Sequence, residues 1–124
     1  MARILIAEDE EAVRTFLIRT LESRGHEVKA VADGVQALQT LQKNSFDMLL
    51  SDIVMPELDG IALALKVSRD WPDMPIVLIT GYAEERQRAH NLEALVHSVV
   101  SKPFDLEKIC GVVDEALAAS ITPV

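Results

Sequence analysis

Acidic, hydroxyl and ammonium side chains stand at the ends of four separate apolar segments of this sequence. Glu8 and Asp9 follow the first apolar segment, and Asp52 follows a second. Thr80 ends a third segment, and Lys102 comes directly after a fourth. Three carboxylates brought to one place repel one another, so a cation is needed to compensate them. A cluster of oxygen ligands favours a hard divalent cation, most simply Mg²⁺.

Strand-like and helix-like spacings of apolar residues alternate along the whole chain. Asp33 and Asp59 precede two of the helical patterns and are candidate caps for their first turns. The predicted strands are residues 3–7, 27–31, 47–51, 76–79 and 98–101, and the predicted helices are residues 10–24, 34–43, 60–70, 83–95 and 106–118.

This strict alternation predicts an α/β fold with a parallel sheet covered by helices on both faces. Strands buried on both faces are continuously apolar, whereas residues 27–31 and 98–101 contain polar side chains and are therefore placed at the edges. The result is a doubly wound, flavodoxin-like sheet of five strands in the order 2-1-3-4-5, with five helices. We expect residues 1–120 to form one domain and residues 121–124 to form a short tail.

The predicted strand order brings the candidate residues together. In an open parallel sheet, ligands bind beyond the carboxyl ends of the strands, where the strand order reverses. That point lies between the first and third strands, so Asp9 and Asp52 are expected to converge there. The backbone carbonyl of Val54 is a further candidate metal ligand. Glu10 and Glu11 are interpreted as acids at a helix start, where they suit the helix dipole.

The composition limits the classes of function. The chain has 124 residues, 49% of them hydrophobic and 26% charged, with a net charge of −8. An acidic chain argues against general nucleic-acid binding and against docking to anionic membranes. Neither a membrane span nor a signal peptide is recognisable, so we expect a cytoplasmic protein. The single cysteine, Cys110, lies on an apolar helical stripe and is expected to pack in the core.

Taken together, the motifs resemble the receiver domain of two-component response regulators, the CheY-like family, over nearly the whole chain. The resemblance is carried by the acidic pair at residues 8–9 and the run DIVMPELDG at residues 52–60. The pair Thr80-Gly81 and the run Lys102-Pro103-Phe104 complete it. Each motif is weak alone, but the set, in this order and at strand ends, is specific.

The resemblance implies that Asp52 accepts a phosphoryl group from a histidine kinase or a histidine phosphotransferase. Thr80 and Lys102 would hold the phosphoryl oxygens, and the Lys102–Pro103 peptide bond would be cis. Such a domain is not an enzyme acting on other substrates, because it catalyses only its own phosphorylation and dephosphorylation.

The resemblance also implies a metal site. Asp9 and Asp52 would bind Mg²⁺ directly, together with the Val54 carbonyl, and Glu8 would act through water. These assignments agree with the chemistry of phosphoryl transfer, which depends mainly on alignment and on neutralisation of charge.

Signal output in this family involves a threonine and an aromatic residue of the fifth strand. Thr80 would move toward the phosphoryl group, but the aromatic position, three residues before Lys102, holds Val99 in this chain. Tyr82 is either a partial substitute or an ordinary loop aromatic. The predicted fourth helix is polar and weakly anchored, so we expect the output face to comprise that helix, the fifth strand and the last helix.

The chain shows no second domain, so we expect it either to bind another protein or to relay phosphate. It especially resembles the CpdR-type single-domain regulators of alphaproteobacteria, which implies control of proteolysis by a ClpXP-type protease. A receiver that serves only as a docking module, without phosphorylation, is the alternative.

Two other classes on related folds fit less well. A flavodoxin-type carrier needs a hydroxyl- and amide-rich phosphate loop after the first strand, where this chain has four consecutive acids. A haloacid-type phosphohydrolase has the pattern Asp-x-Asp, whereas Asp52 is followed by Ile53 and Val54.

Overall fold

A five-stranded parallel sheet forms the centre of the protein. The computed structural model describes residues 2–82, 87–89 and 95–120. The strand order β2-β1-β3-β4-β5 confirms the prediction, including the two edge strands. The strands are β1 (Arg3–Ala7), β2 (Glu27–Val31), β3 (Met48–Asp52), β4 (Ile76–Thr80) and β5 (Ser98–Ser101).

Helices connect and cover the strands. They are α1 (Glu11–Ser23), α2 (Gly34–Lys43), α3 (Gly60–Asp70) and the C-terminal helix (Leu106–Ser120). Residues 87–89 are also helical and lie within the predicted fourth helix. The rest of that helix, residues 83–86 and 90–94, and the predicted tail, residues 121–124, lie outside the described residues. The other helices begin and end within two residues of the predicted positions.

Side-chain caps begin two of the helices, as predicted. The Asp33 carboxylate accepts hydrogen bonds from the backbone N–H of Gln36 at 2.8 Å and from the Gln36 side chain at 3.0 Å. The Asp59 carboxylate accepts from the backbone N–H of Ala62 at 2.9 Å. Each cap satisfies an N–H group that the first helical turn leaves without a partner, so the aspartates fix where α2 and α3 begin.

The core consists of one apolar layer on each face of the sheet. Successive strand residues point to opposite faces, so Leu49 packs with the layer under α2 and α3 while Leu50 packs with the layer under α1 and the C-terminal helix. All five residues of β3 are buried, as a central parallel strand requires. Cys110 lies buried in the second layer, in agreement with its predicted core position.

The strand register places the candidate residues at one edge of the sheet. Ala7 pairs with Ser51, so the residues that follow β1 and those that end β3 lie side by side. Asp52 pairs with Ile79, and Thr80 pairs with Ser101, which precedes Lys102.

Among the described residues, no helix is long and apolar enough to cross a bilayer.

Candidate functional site

Three carboxylates meet at the junction of β1 and β3. Glu8, Asp9 and Asp52 each offer one carboxylate oxygen, and these oxygens all lie within 4.8 Å of one another. Asp9 is exposed, whereas Glu8 is completely buried and Asp52 is 5% exposed. The convergence expected from the strand order is therefore present, and like charges are held close together in a site with little access to solvent.

Lys102 supplies the compensating positive charge. Its ammonium donates a hydrogen bond to Oδ2 of Asp52 at 3.0 Å and lies 3.2 Å from Oε1 of Glu8. Burial lowers the pKa of Lys102, but the hydrogen bond and charge of Asp52 and the charge of Glu8 outweigh it and raise that pKa above its ordinary value. Lys102 therefore stays protonated and joins the end of β5 to the ends of β1 and β3.

The surroundings of Glu8 disfavour its ionised form. Burial is the main cause that raises its pKa to about 7, and the charge of Asp52 adds to the rise. A hydrogen bond from the backbone N–H of Glu10 to Oε2, at 3.0 Å, and the charge of Lys102 act in the opposite direction. Oε1 of Glu8 is buried and, among the described residues, has the ion pair with Lys102 at 3.2 Å but no well-aligned hydrogen bond.

Thr80 lies at the end of β4 with its hydroxyl turned toward its own loop. The backbone N–H of Tyr82 donates to Oγ1 of Thr80 at 3.1 Å, and the hydroxyl donates to the Tyr82 carbonyl at 3.3 Å. Thr80 is 2% exposed, whereas Tyr82 is 64% exposed. Tyr82 is thus exposed in this structure, and its role in switching stays a prediction.

The remaining predicted residues surround this group. The Lys102–Pro103 peptide bond is cis, the isomer that the resemblance implies. Val54 follows Asp52 in the loop after β3 and is 43% exposed. Val99 is half-buried in β5, pairs with Leu78 and packs against the apolar layer under α2 and α3. A β-branched aliphatic side chain thus occupies the position expected to hold an aromatic ring.

Sequence reasoning missed two residues that shape the site. A Cβ atom on Gly60 would overlap the backbone carbonyl of Asp52 and lie 2.8 Å from Cα of Ile53, so only glycine permits this approach. Arg14 of α1 donates through Nη1 to the carbonyl of Glu8 at 2.8 Å. Gly60 is the last residue of the run at residues 52–60 that carries the family resemblance. Nothing in the sequence distinguishes Arg14 from an exposed helical arginine.

The raised pKa of Glu8 predicts a pH-dependent stability in metal-free solution. The folded value, about 7, lies above the ordinary value of 4.5, so the folded state binds the proton more tightly than the unfolded state. The stabilisation is therefore complete below pH 4.5 and is lost as pH rises toward 7, by roughly 3 kcal/mol at the rate of about 1.4 kcal/mol per pKa unit. Glu8→Gln should lack this pH-dependent contribution to the free energy of unfolding, because glutamine does not titrate.

Urea unfolding of wild type and Glu8→Gln between these two pH values, with a chelator present, measures the difference directly. We expect the variant to gain stability over wild type as pH rises. Parallel curves for the two proteins across this range would show that Glu8 does not titrate there.

Comparisons with known proteins agree with this geometry. The family model of the response regulator receiver domain matches residues 4–114. The response regulator receiver protein CpdR of Brucella abortus (strain 2308) is 39% identical over 120 residues, which are 97% of this chain and 100% of CpdR. The sensor kinase CckA of the same organism is 39% identical over 119 residues, covering 94% of this chain but 12% of the kinase.

A solved structure supports the same assignment. The crystal structure of response regulator protein TrrA from Thermotoga maritima, in complex with Mg(2+)-BeF, superposes with a TM-score of 0.85. The two sequences are 27% identical, and the match covers 94% of this chain and 99% of that one. Sequence, fold and the arrangement of the four strand ends lead to one conclusion: the chain belongs to the response regulator receiver domain family.

Proposed function

We propose that this chain is a single-domain response regulator that accepts a phosphoryl group on Asp52 from a phosphohistidine of a histidine kinase or phosphotransferase. The observation that carries the proposal is the position of Asp52. Its side chain is buried, accepts a hydrogen bond from the Lys102 ammonium and lies beside two further carboxylates. The match to CpdR along its whole length supports a single-domain regulator. We further propose that the domain comprises residues 1–120.

The chemical step is a transfer between two nucleophiles. A carboxylate oxygen of Asp52 attacks phosphorus, an O–P bond forms, and the P–N bond to the imidazole breaks. The imidazole leaves with the electron pair of that bond and takes up a proton to become neutral histidine. Alignment and charge neutralisation contribute most of the acceleration in such reactions, so a weakly nucleophilic carboxylate suffices when it is held in place.

The acidic cluster fits a hard divalent cation. It presents only oxygen donors, three carboxylate oxygens lie within 4.8 Å, and Oε1 of Glu8 is buried without a well-aligned donor. Asp9 and Asp52 would hold Mg²⁺, with the Val54 carbonyl as a third protein ligand and Glu8 acting through water. When bound, the ion supplies charge that offsets repulsion between the carboxylates and an incoming phosphate.

Lys102 and Thr80 would receive the new phosphoryl oxygens. Lys102 already contacts Oδ2 of Asp52, so its ammonium needs only a small movement to bond an oxygen attached to that carboxylate. Thr80 instead would have to give up the hydrogen bond that its hydroxyl donates to the Tyr82 carbonyl. Phosphorylation would therefore change the loop after β4 as well as the site itself, and this change begins the output signal.

Val99 alters the route of that signal. Valine has no ring that could turn between an exposed and a buried position. Its branched side chain is short and rotates about a single torsion. We propose that the signal passes mainly through Thr80, Tyr82 and the helical segment that contains residues 87–89. Arg88 of that segment lies 3.4 Å from the Asp59 carboxylate, which links the segment to the cap of α3.

The output face would comprise the predicted fourth helix, β5 and the C-terminal helix. A net charge of −8 favours a protein partner over nucleic acid. The resemblance to CpdR-type regulators further suggests that this partner belongs to regulated proteolysis by a ClpXP-type protease. That extension rests on the resemblance and not on a contact in the structure.

The acceptor assignment is tested by intact-protein and peptide mass spectrometry after incubation with a small acyl phosphate and Mg²⁺. We expect one added phosphoryl group, removable by hydroxylamine and located on Asp52. Asp52→Asn should remain unmodified, while the matched control Asp33→Asn, which changes an aspartate outside the site, should be modified as in wild type.

Two results would contradict the assignment. One is persistence of the phosphoryl group in Asp52→Asn, and the other is an unmodified wild-type protein despite a donor that modifies another receiver domain. In either case, the chain would act as a docking module or through another acceptor.

Partner switching is tested by affinity capture with wild type and Asp52→Ala, each with and without the phosphoryl donor. We expect wild type, but not Asp52→Ala, to change its set of captured proteins when the donor is added, because only wild type forms the acyl phosphate. A protease adaptor or protease subunit in the donor-dependent set would support the proteolysis extension. Capture of the same proteins with and without the donor, by both wild type and Asp52→Ala, would contradict switching. If wild type passes its phosphoryl group to a second phosphotransferase and shows no other donor-dependent partner, the chain is a relay.

A further inference from the structure

Gly34 makes an unusually close contact with the loop that follows the acceptor. It is the first residue of α2 and is buried. A Cβ atom at this position would overlap the backbone carbonyl oxygen of Leu58 and lie 2.8 Å from the Leu58 Cβ. Contacts this short require one of the two segments to move, because a backbone carbonyl cannot rotate away as the end of a flexible side chain can.

The loop at residues 53–59 is itself tightly constrained. The backbone N–H of Gly60 donates to the Ile53 carbonyl at 2.7 Å, which joins the two ends of the loop. Within it, the N–H of Leu58 donates to the Pro56 carbonyl at 2.8 Å, and Glu57 adopts a left-handed backbone with φ of 68°. That conformation is unfavourable for a residue with a side chain, so the loop depends on its contacts, including the one with Gly34, to keep this shape.

The helix side of the contact is better anchored than the loop side. Ala37 and Leu41 of α2 are buried in the apolar layer, and the Asp33 cap fixes the first turn. Pro56 and Glu57, in contrast, are exposed. An added methyl group at residue 34 should therefore displace the loop and not the helix.

We propose that Gly34 is a positioning residue for the phosphoryl-acceptor site, because the absence of its side chain lets α2 rest against Leu58 and fix the loop that carries Val54. It would act through the loop, by way of its close approach to Leu58. This inference rests on the proposed function, since it concerns the loop whose Val54 carbonyl is the proposed third metal ligand. It links α2, which supplies none of the proposed site residues, to the metal affinity of the site.

The test compares Gly34→Ala with wild type and with Gly111→Ala. Gly111 is a matched control because it is also helical, yet a Cβ atom there meets nothing within 4 Å. Isothermal titration with Mg²⁺ should show binding at least about tenfold weaker in Gly34→Ala, since a displacement on the order of 1 Å at a reacting site is costly. Gly111→Ala should bind Mg²⁺ as wild type does.

Amide hydrogen exchange provides a readout that does not depend on metal. In metal-free protein, the amides of Leu58 and Gly60 should exchange faster in Gly34→Ala, while those of Ala37 and Leu41 stay protected. The opposite pattern, with loss of protection in α2 and unchanged Mg²⁺ affinity, would show that the helix yields and would overturn the inference.

The outcome for wild type separates this inference from the proposed function. If wild type binds Mg²⁺ and is phosphorylated but Gly34→Ala binds Mg²⁺ equally well, only the role of Gly34 is lost. If wild type neither binds Mg²⁺ nor accepts a phosphoryl group, the proposed function fails and the inference fails with it.

A second variant keeps the test decisive if Gly34→Ala does not fold. Adding Glu57→Gly removes the cost of the left-handed backbone and so offsets part of the destabilisation, and the double variant should therefore fold but still bind Mg²⁺ weakly. Glu57→Gly alone should retain wild-type affinity. Failure of both Gly34 variants to fold would assign Gly34 to the stability of the whole domain and overturn its positioning role.

Discussion

The organising constraint of this protein is that a cluster of three carboxylates has one ammonium group, that of Lys102, beside it at the edge of the sheet. Glu8 and Asp52 are almost without solvent, and an uncompensated buried charge is strongly destabilising. Lys102 reaches both carboxylates, which holds the end of β5 against the ends of β1 and β3. One ammonium group beside three carboxylates leaves the cluster with an excess of carboxylate oxygens. That excess is the basis of the proposed divalent-cation site.

Backbone contacts provide the second level of organisation. Gly60 rests on the carbonyl of Asp52, and Gly34 rests on the carbonyl of Leu58, so two helices begin in direct contact with one loop. Thr80 is the contrasting element, because the hydrogen bonds that the described part of the chain gives its hydroxyl are to the adjacent loop. The proposed switch would combine the close backbone contacts beside Asp52 with an exchange of this Thr80 contact.

The sequence predicted the fold well because its signals are local and consistent. The apolar runs of β3 and β4, the polar residues of β2 and β5, and the caps Asp33 and Asp59 each indicate the same architecture. The meeting of Glu8, Asp9 and Asp52 followed from strand order alone. The roles of Gly34, Gly60 and Arg14 did not follow, because each depends on the distance between segments remote in sequence. Composition and spacing do not show which glycine has a backbone carbonyl placed against it.

Calorimetric titration of Mg²⁺ into wild type, Asp9→Asn and Lys102→Met tests the charge imbalance most directly. The account predicts saturable binding of one ion by wild type and at least about tenfold weaker binding by Asp9→Asn, which removes one charged ligand. It predicts tighter binding by Lys102→Met, because the ammonium that competes for the same oxygens is gone. Absence of saturable binding in wild type, or equal affinity in all three proteins, would contradict it.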